Sequence, residues 1–193
     1  ARTGIAAGAV PEGGHVMSLS RMNRILDLQK GPVADTYHIN VQPGVTLTDL
    51  RTHLRQEADN AFKAESSPYF FPPDPTEASA SVGGMVACNA SGARSFHYGP
   101  TRRYVNALRV VLASGDVAVV RRGEHRSRGR DFELRTQSGA VIRGQIPAYR
   151  MPDVKNASGY FAHDDMDLVD IFIGSEGTLG IISENELVLI PSP

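Results

Sequence analysis

Thr46–Ala58 carries the clearest helical pattern in the chain. Leu47, Leu50, Leu54 and Ala58 recur at i, i+3, i+7 and i+11, and Thr46 or Thr48 stands where a cap is needed. Alternating apolar and polar positions predict strands over His15–Ser20, Thr36–Val41 and Ile181–Ile190, with a shorter one over Ala140–Ile146. Asn106–Ala113 and Val117–Arg121 flank Ser114-Gly115-Asp116, which predicts a β-hairpin. Met22–Leu28, with apolar Met22, Ile25, Leu26 and Leu28, predicts a turn or two of helix, and Met166–Ile173 predicts another. Ala78–Ala90 has helical potential interrupted at Gly83-Gly84. Pro68–Pro75 (PYFFPPDP) is irregular, because its prolines remove donors and fix φ. Gly123–Arg135 is polar and predicts a surface loop. Strands and helices do not alternate regularly, which favours an α+β fold over a doubly wound parallel sheet.

Composition changes this picture little. The 193 residues hold 41 % apolar and 21 % charged side chains, values of an ordinary globular domain. Twenty Lys+Arg against 21 Asp+Glu give a formal charge of −1, so no global pull toward nucleic acid or anionic lipid follows. The single cysteine, Cys88, excludes an internal disulfide and a cysteine zinc cluster, and fits a reducing, cytoplasmic setting. No apolar run reaches the ~20 residues of a membrane-spanning helix.

The chemistry sits in glycine. The dinucleotide fingerprint GxGxxG, the P-loop, HExxH and GxSxG are all missing. In their place stand four glycine- or proline-rich segments. Arg2-Thr-Gly-Ile-Ala-Ala-Gly8 offers either a nest of N–H groups for a phosphate or a tight strand connection. Pro72-Pro-Asp-Pro75 is a rigid turn with a carboxylate at its tip. In Ser81–Gly92 (SVGGMVACNASG), Gly83-Gly84 opens a helix toward a pyrophosphate, or the segment is a closely packed core helix. Gly174–Ile182 (GSEGTLGII) joins a helix to a strand, either around a ligand or as a tight connection.

In this order and at these separations, the four segments resemble the FAD-binding domain of the vanillyl-alcohol-oxidase/PCMH-type flavoproteins. The chain is most similar there to the glycolate oxidase/D-lactate dehydrogenase branch of FAD-linked oxidases. ARTGIAAGAVP resembles the family's pyrophosphate loop, FFPPDPTEASASVGGMVACNASG its flavin segment, and DIFIGSEGTLGIISENELVLIP its closing motif. The resemblance implies an α+β domain with a mixed sheet flanked by helices. It also implies a small lobe before residue 1 and a cap domain after residue 193. It divides the chain into a pyrophosphate loop (1–11), a flavin segment (70–101) and a closing motif (174–190).

Carried over by residue, the resemblance puts Arg2, Thr3, Gly4 and Gly8 around the pyrophosphate and Pro72 and Asp74 at the flavin end. Ser81, Gly83, Gly84, Asn89, Ser91 and Gly92 would run along the dinucleotide, and Tyr98, Gly99 and Thr101 would continue that wall. Glu176, Gly177, Gly180 and Ile182 would close the site, with Glu176 bonded to backbone N–H groups and the backbone near Ile182 meeting adenine. The first loop has no His, and Cys88 replaces the Thr common in this branch, so FAD is expected to bind non-covalently. The implied reaction is dehydrogenation of a 2-hydroxy acid such as lactate or glycolate by hydride transfer to flavin N5, with electrons passing on to a redox partner. The cap domain would supply the catalytic residues, leaving those unknown here. A flavin-binding or electron-transfer module without substrate chemistry is the alternative.

Three further features have weaker readings. The six arginines of Arg121–Arg135 suggest a nucleic-acid patch or, with Glu124, Asp131 and Glu133 among them, a solvated or docking surface. His163-Asp164-Asp165 invites a metal, but neighbouring strand residues point to opposite faces, so no metal is expected. Lys155–Tyr160 (KNASGY) resembles a loop of one branch of the family and has no role assigned by its residues alone.

Overall fold

A computed structural model describes residues 3, 4, 8, 10–157 and 159–193. Arg2 therefore lies outside the described residues. The elements are β1 (Ile25–Lys30), β2 (Tyr37–Val41), α1 (Leu47–Gln56), β3 (Tyr69–Phe70), α2 (Val82–Ala87), α3 (Ser95–Tyr98), β4 (Val105–Val111), β5 (Val117–Arg121), β6 (Asp131–Arg135), β7 (Val141–Gln145), α4 (Val169–Phe172) and β8 (Ile181–Pro191).

Helix α1 forms where the leucine spacing predicts it. Thr46 caps it, its hydroxyl accepting from the Asp49 N–H at 3.1 Å while the Asp49 carboxylate takes the Thr46 N–H at 3.4 Å. Leu47, Leu50 and Leu54 are its buried face. The two hairpins, β1–β2 and β4–β5, lie on either side of β8, giving the order β1-β2-β8-β4-β5 with β3 also paired to β8. Every pairing in this sheet is antiparallel, which corrects the expected mixed sheet. Hairpins supply both halves, and the last strand enters between them antiparallel to each. Helices α1 and α2 bury Leu47, Leu50, Val82 and Val86 in a core shared with Ile39, Val41, Leu108, Val110, Leu187 and Leu189.

Four local expectations are corrected. Met22–Leu28 is not helical; Ile25–Lys30 is an edge strand. A bulge between Ile25 and Asp27 lets Ile25 and Leu28 both lean on the core, and this produces an i, i+3 spacing that imitates a helix. His15–Ser20 has no ladder and no regular structure. Gly123–Arg135 ends in β6, which pairs with β7 and buries Leu134. Only Val169–Phe172 of the predicted helix over 166–173 is helical.

Candidate cofactor-binding site

The four segments meet around α2. Its C-terminal turn receives the closing motif: the Gly174 N–H donates to the Val86 carbonyl at 3.0 Å and the Glu176 N–H to the Ala87 carbonyl at 2.8 Å. A Cβ added to Gly8 would stand 3.1 Å from Glu176 Oε2, so the first loop reaches the closing motif. The Pro72–Pro75 turn backs onto Gly92, where an added Cβ would fall 1.6 Å from the Asp74 carbonyl oxygen.

The glycines divide by what faces them. At Gly83 a Cβ would meet Pro43 at 2.4 Å, and at Gly180 the Val111 carbonyl at 2.7 Å. These positions and Gly92 are glycine because the chain's own backbone or core fills the space. Gly4 and Gly177 have nothing within 4 Å among the described residues, and Gly84 is exposed. Gly177 also holds φ +79°, a conformation open to glycine at little cost.

The same distinction applies to the polar residues. The N–H groups of Val82 and Gly83, expected to face a pyrophosphate, donate instead to Val45 and Pro43 carbonyls. Ser81 begins α2 without a side-chain cap bond. The Thr101 hydroxyl is fully buried and donates to the Ala90 carbonyl at 2.7 Å, so it faces no ligand. Asp74 joins Arg51 at 2.5 Å and Arg94 at 3.4 Å, tying α1 to the loop after α2. The Tyr98 ring stands edge-on to Phe70. Pro72 is buried, Ser91 half-buried, and Ile182 lies in the β8 ladder opposite Val110. Among the described residues, no backbone N–H donates to the Glu176 carboxylate. Glu176 sits at φ +52° with its side chain exposed.

Asn89, Gly92 and Gly99 line a cleft of about 700 Å³, a volume that suits a flat organic cofactor. Asn89 is 6 % exposed and adopts φ +46°. Its Oδ1 accepts the Arg102 N–H at 3.0 Å, while its amide nitrogen has no protein partner among the described residues. The Cys88 thiol beside it is pushed above its ordinary pKa by partial burial and then by the Glu176 carboxylate.

The opposite wall of the cleft is 151–163, including Lys155, Asn156, Gly159 and Phe161. The KNASGY motif was the signal for it, but only the tertiary structure brings it here. Arg102 holds the two walls together. Its guanidinium donates to the carbonyls of Asp170 and Ile173, both at 2.6 Å, pairs with the Asp170 carboxylate at 3.0 Å and lies 4.5 Å over the Phe161 ring. Arg122 meets Asp170 from the other side at 2.8 and 2.9 Å. Arg122 of the arginine cluster is thus turned inward, whereas Arg126, Arg128 and Arg135 are exposed. Arg130 pairs with Asp164, and Arg126 donates to the Asp165 carbonyl. Asp165 itself accepts the Gly129 N–H, and no group of three metal-ligating side chains occurs among the described residues. No helix among them is long and apolar enough to cross a membrane.

Residues 1–121 match the family described as FAD binding domain. Along its full length the chain is 39 % identical to a D-lactate dehydrogenase of Anaerostipes hadrus, covering 100 % of this chain and 30 % of that protein. It is 34 % identical to the glycolate oxidase subunit GlcD of Bacillus subtilis, covering 99 % and 31 %. A D-2-hydroxyglutarate dehydrogenase of Xanthomonas citri is 33 % identical, covering 100 % and 31 %. The chain thus spans about 30 % of the length of the curated relatives it matches. The fold recurs in a solved alkyldihydroxyacetonephosphate synthase, with TM-scores of 0.50 and 0.51 in two crystal forms. Identity there is 20 % and 21 %, over 90 % of this chain and 22 % of that one.

Proposed function

Because the chain belongs to the FAD binding domain family, we propose that it is the cofactor-holding part of a dehydrogenase acting on a small 2-hydroxy acid. The observation that carries this reading is the meeting of the glycine-rich segments around α2, beside a cleft of flavin-sized volume. The relatives' names supply the substrate class.

FAD bound here would accept the hydride that leaves the substrate's α-carbon. The chain's residues position it. Thr3, Gly4, Gly8 and Gly177 line the pyrophosphate's path, where Gly4 and Gly177, open among the described residues, admit close approach of backbone N–H groups; Arg2, outside the described residues, is assigned to that path by the family resemblance. Gly84 at the exposed start of α2 continues that path. The Asn89 amide and the backbone at Gly92 and Gly99 face the ring. Ser91 and Tyr98 flank that wall, and Pro72 and Asp74 brace it from behind. Gly83, Gly180, Thr101 and Ile182 act by holding the frame on which these residues stand. The boundaries 1–11, 70–101 and 174–190 follow for the three cofactor segments. FAD is held non-covalently: the first loop has no His, and the raised pKa of Cys88 disfavours the thiolate a covalent bond requires. A redox partner receives the electrons, and the protein works in the cytoplasm.

Titration of FAD with the purified chain, read by quenching of flavin fluorescence, tests the proposal without interference from tryptophan, which the chain lacks. Saturable quenching is expected, and its loss in Gly84→Asp would locate the site. Absence of quenching in the chain and in a form extended at its N-terminus would reject it. A yellow pellet after acid precipitation would reject non-covalent binding.

A further inference from the structure

Lysine and arginine side chains that line the cleft differ in what they already hold. Arg102 is committed to Asp170 and two carbonyls. Arg103 and Lys155, on opposite walls, have no carboxylate partner and no side-chain hydrogen bond among the described residues. The acidic residue of the lining, Asp153, is paired with Arg150 at 2.9 Å. The cleft therefore carries two uncompensated positive charges although the chain as a whole is near neutral.

Arg103 is also placed rather than loose. Its side chain lies across Gly99, where an added Cβ would come within 2.6 Å of Arg103 Cδ and Nε. Gly99, at φ +83°, gives the guanidinium its bed. The rim also carries two uncovered apolar side chains: Phe96 is fully exposed and Val154 is 71 % exposed. The amide nitrogen of Asn89, which has no partner among the described residues, adds a neutral donor. Two cations, a donor and two apolar rim side chains form the recognition pattern of a small organic anion lying beside a flat ring.

We propose that Arg103 and Lys155 form a carboxylate-binding site that receives the acid group of the substrate. The inference rests on the cofactor reading above for the identity of the ring, but the anion site stands on the two cations. Arg103 offers a planar fork of donors that matches a carboxylate, and Lys155 a mobile point charge from the facing loop. Together they set a preference for acids over alcohols of the same size.

Oxalate, an unreactive dicarboxylate, is the probe, and calorimetry of the whole chain with and without FAD is the measurement. The chain is expected to bind oxalate in both conditions, and more weakly as salt rises. Arg103→Gln and Lys155→Gln should each weaken it roughly tenfold, as loss of a charge-assisted hydrogen bond does. FAD affinity should stay within about twofold, and Lys63→Gln, which removes an exposed cation outside the cleft lining, should leave oxalate binding unchanged. Because Lys155 is exposed and unbonded, its variant keeps the fold even if Arg103→Gln loosens the bed at Gly99. Propane-1,2-diol, which lacks the carboxylate, should distinguish none of the variants.

Unchanged oxalate affinity in the double variant would overturn the proposal, as would no oxalate binding by the unmodified chain in either condition. Parallel loss of FAD and oxalate would assign the cations to the cofactor and overturn it too. Oxalate binding that depends on both residues in a chain that never binds FAD would keep the anion site and reject the cofactor reading.

Discussion

Glycines from two regions of this molecule look alike in sequence and do opposite things in space. In the segment of α2 and the loop after it, Gly83 and Gly92 are pressed against Pro43 and the Asp74 backbone. In the first loop and the closing motif, Gly4 and Gly177 look into open space among the described residues. The first pair lets chain pack on chain; the second leaves room for something that is not protein. A glycine is informative about a ligand only when no part of the protein itself occupies its missing side chain.

Alanine substitutions sharpen the contrast, because each adds one methyl group. The largest effect is expected for Gly92→Ala, whose Cβ has no room beside the Asp74 carbonyl. About 3 kcal/mol or more of stability should be lost, read as a fall in Tm of roughly 6–12 °C for a chain of this size. A Tm unchanged by that substitution would break the comparison. Gly83→Ala should cost about 1–3 kcal/mol, because Pro43 on its loop can yield where the Asp74 backbone cannot.

Gly177→Ala meets no atom but must hold φ +79°, so about 1–2 kcal/mol is expected from backbone strain alone. In Gly4→Ala, stability should stay within about 0.5 kcal/mol, while FAD affinity measured by fluorescence quenching falls at least several-fold. The two readouts should therefore run in opposite order along the series. If FAD affinity instead followed Tm in all four variants, the open glycines would have no ligand role.

Much of the site was legible as a list and little of it as a place. Asn89, Gly92 and Gly99 could be named from the family resemblance, and the structure puts all three on one cleft. Thr101 could also be named, yet its hydroxyl is buried on the Ala90 carbonyl, since a side chain's direction depends on the turn that carries it. Lys155–Tyr160 stood out as a motif but had no meaning until the chain folded it back against Arg103, some fifty residues away in sequence. Arg102 offered no signal of its clamp, because its partners Asp170 and Ile173 lie roughly seventy residues downstream.

By itself the sequence determined the local elements whose causes are local. The leucine spacing and Thr46–Asp49 box set α1, the Ser-Gly-Asp turn set the β4–β5 hairpin, and four segments in order carried the family and its cofactor. The tertiary structure decided what depends on distant partners. It placed β8 between two hairpins and made the sheet antiparallel throughout, and it made Ile25–Lys30 an edge strand with a bulge where Met22–Leu28 reads as helix. It also divided the glycines into crowded and open ones. Turn and helix signals act over a few residues, whereas strand pairing, burial and the walls of a cleft are set by contacts between segments that only the folded core brings together.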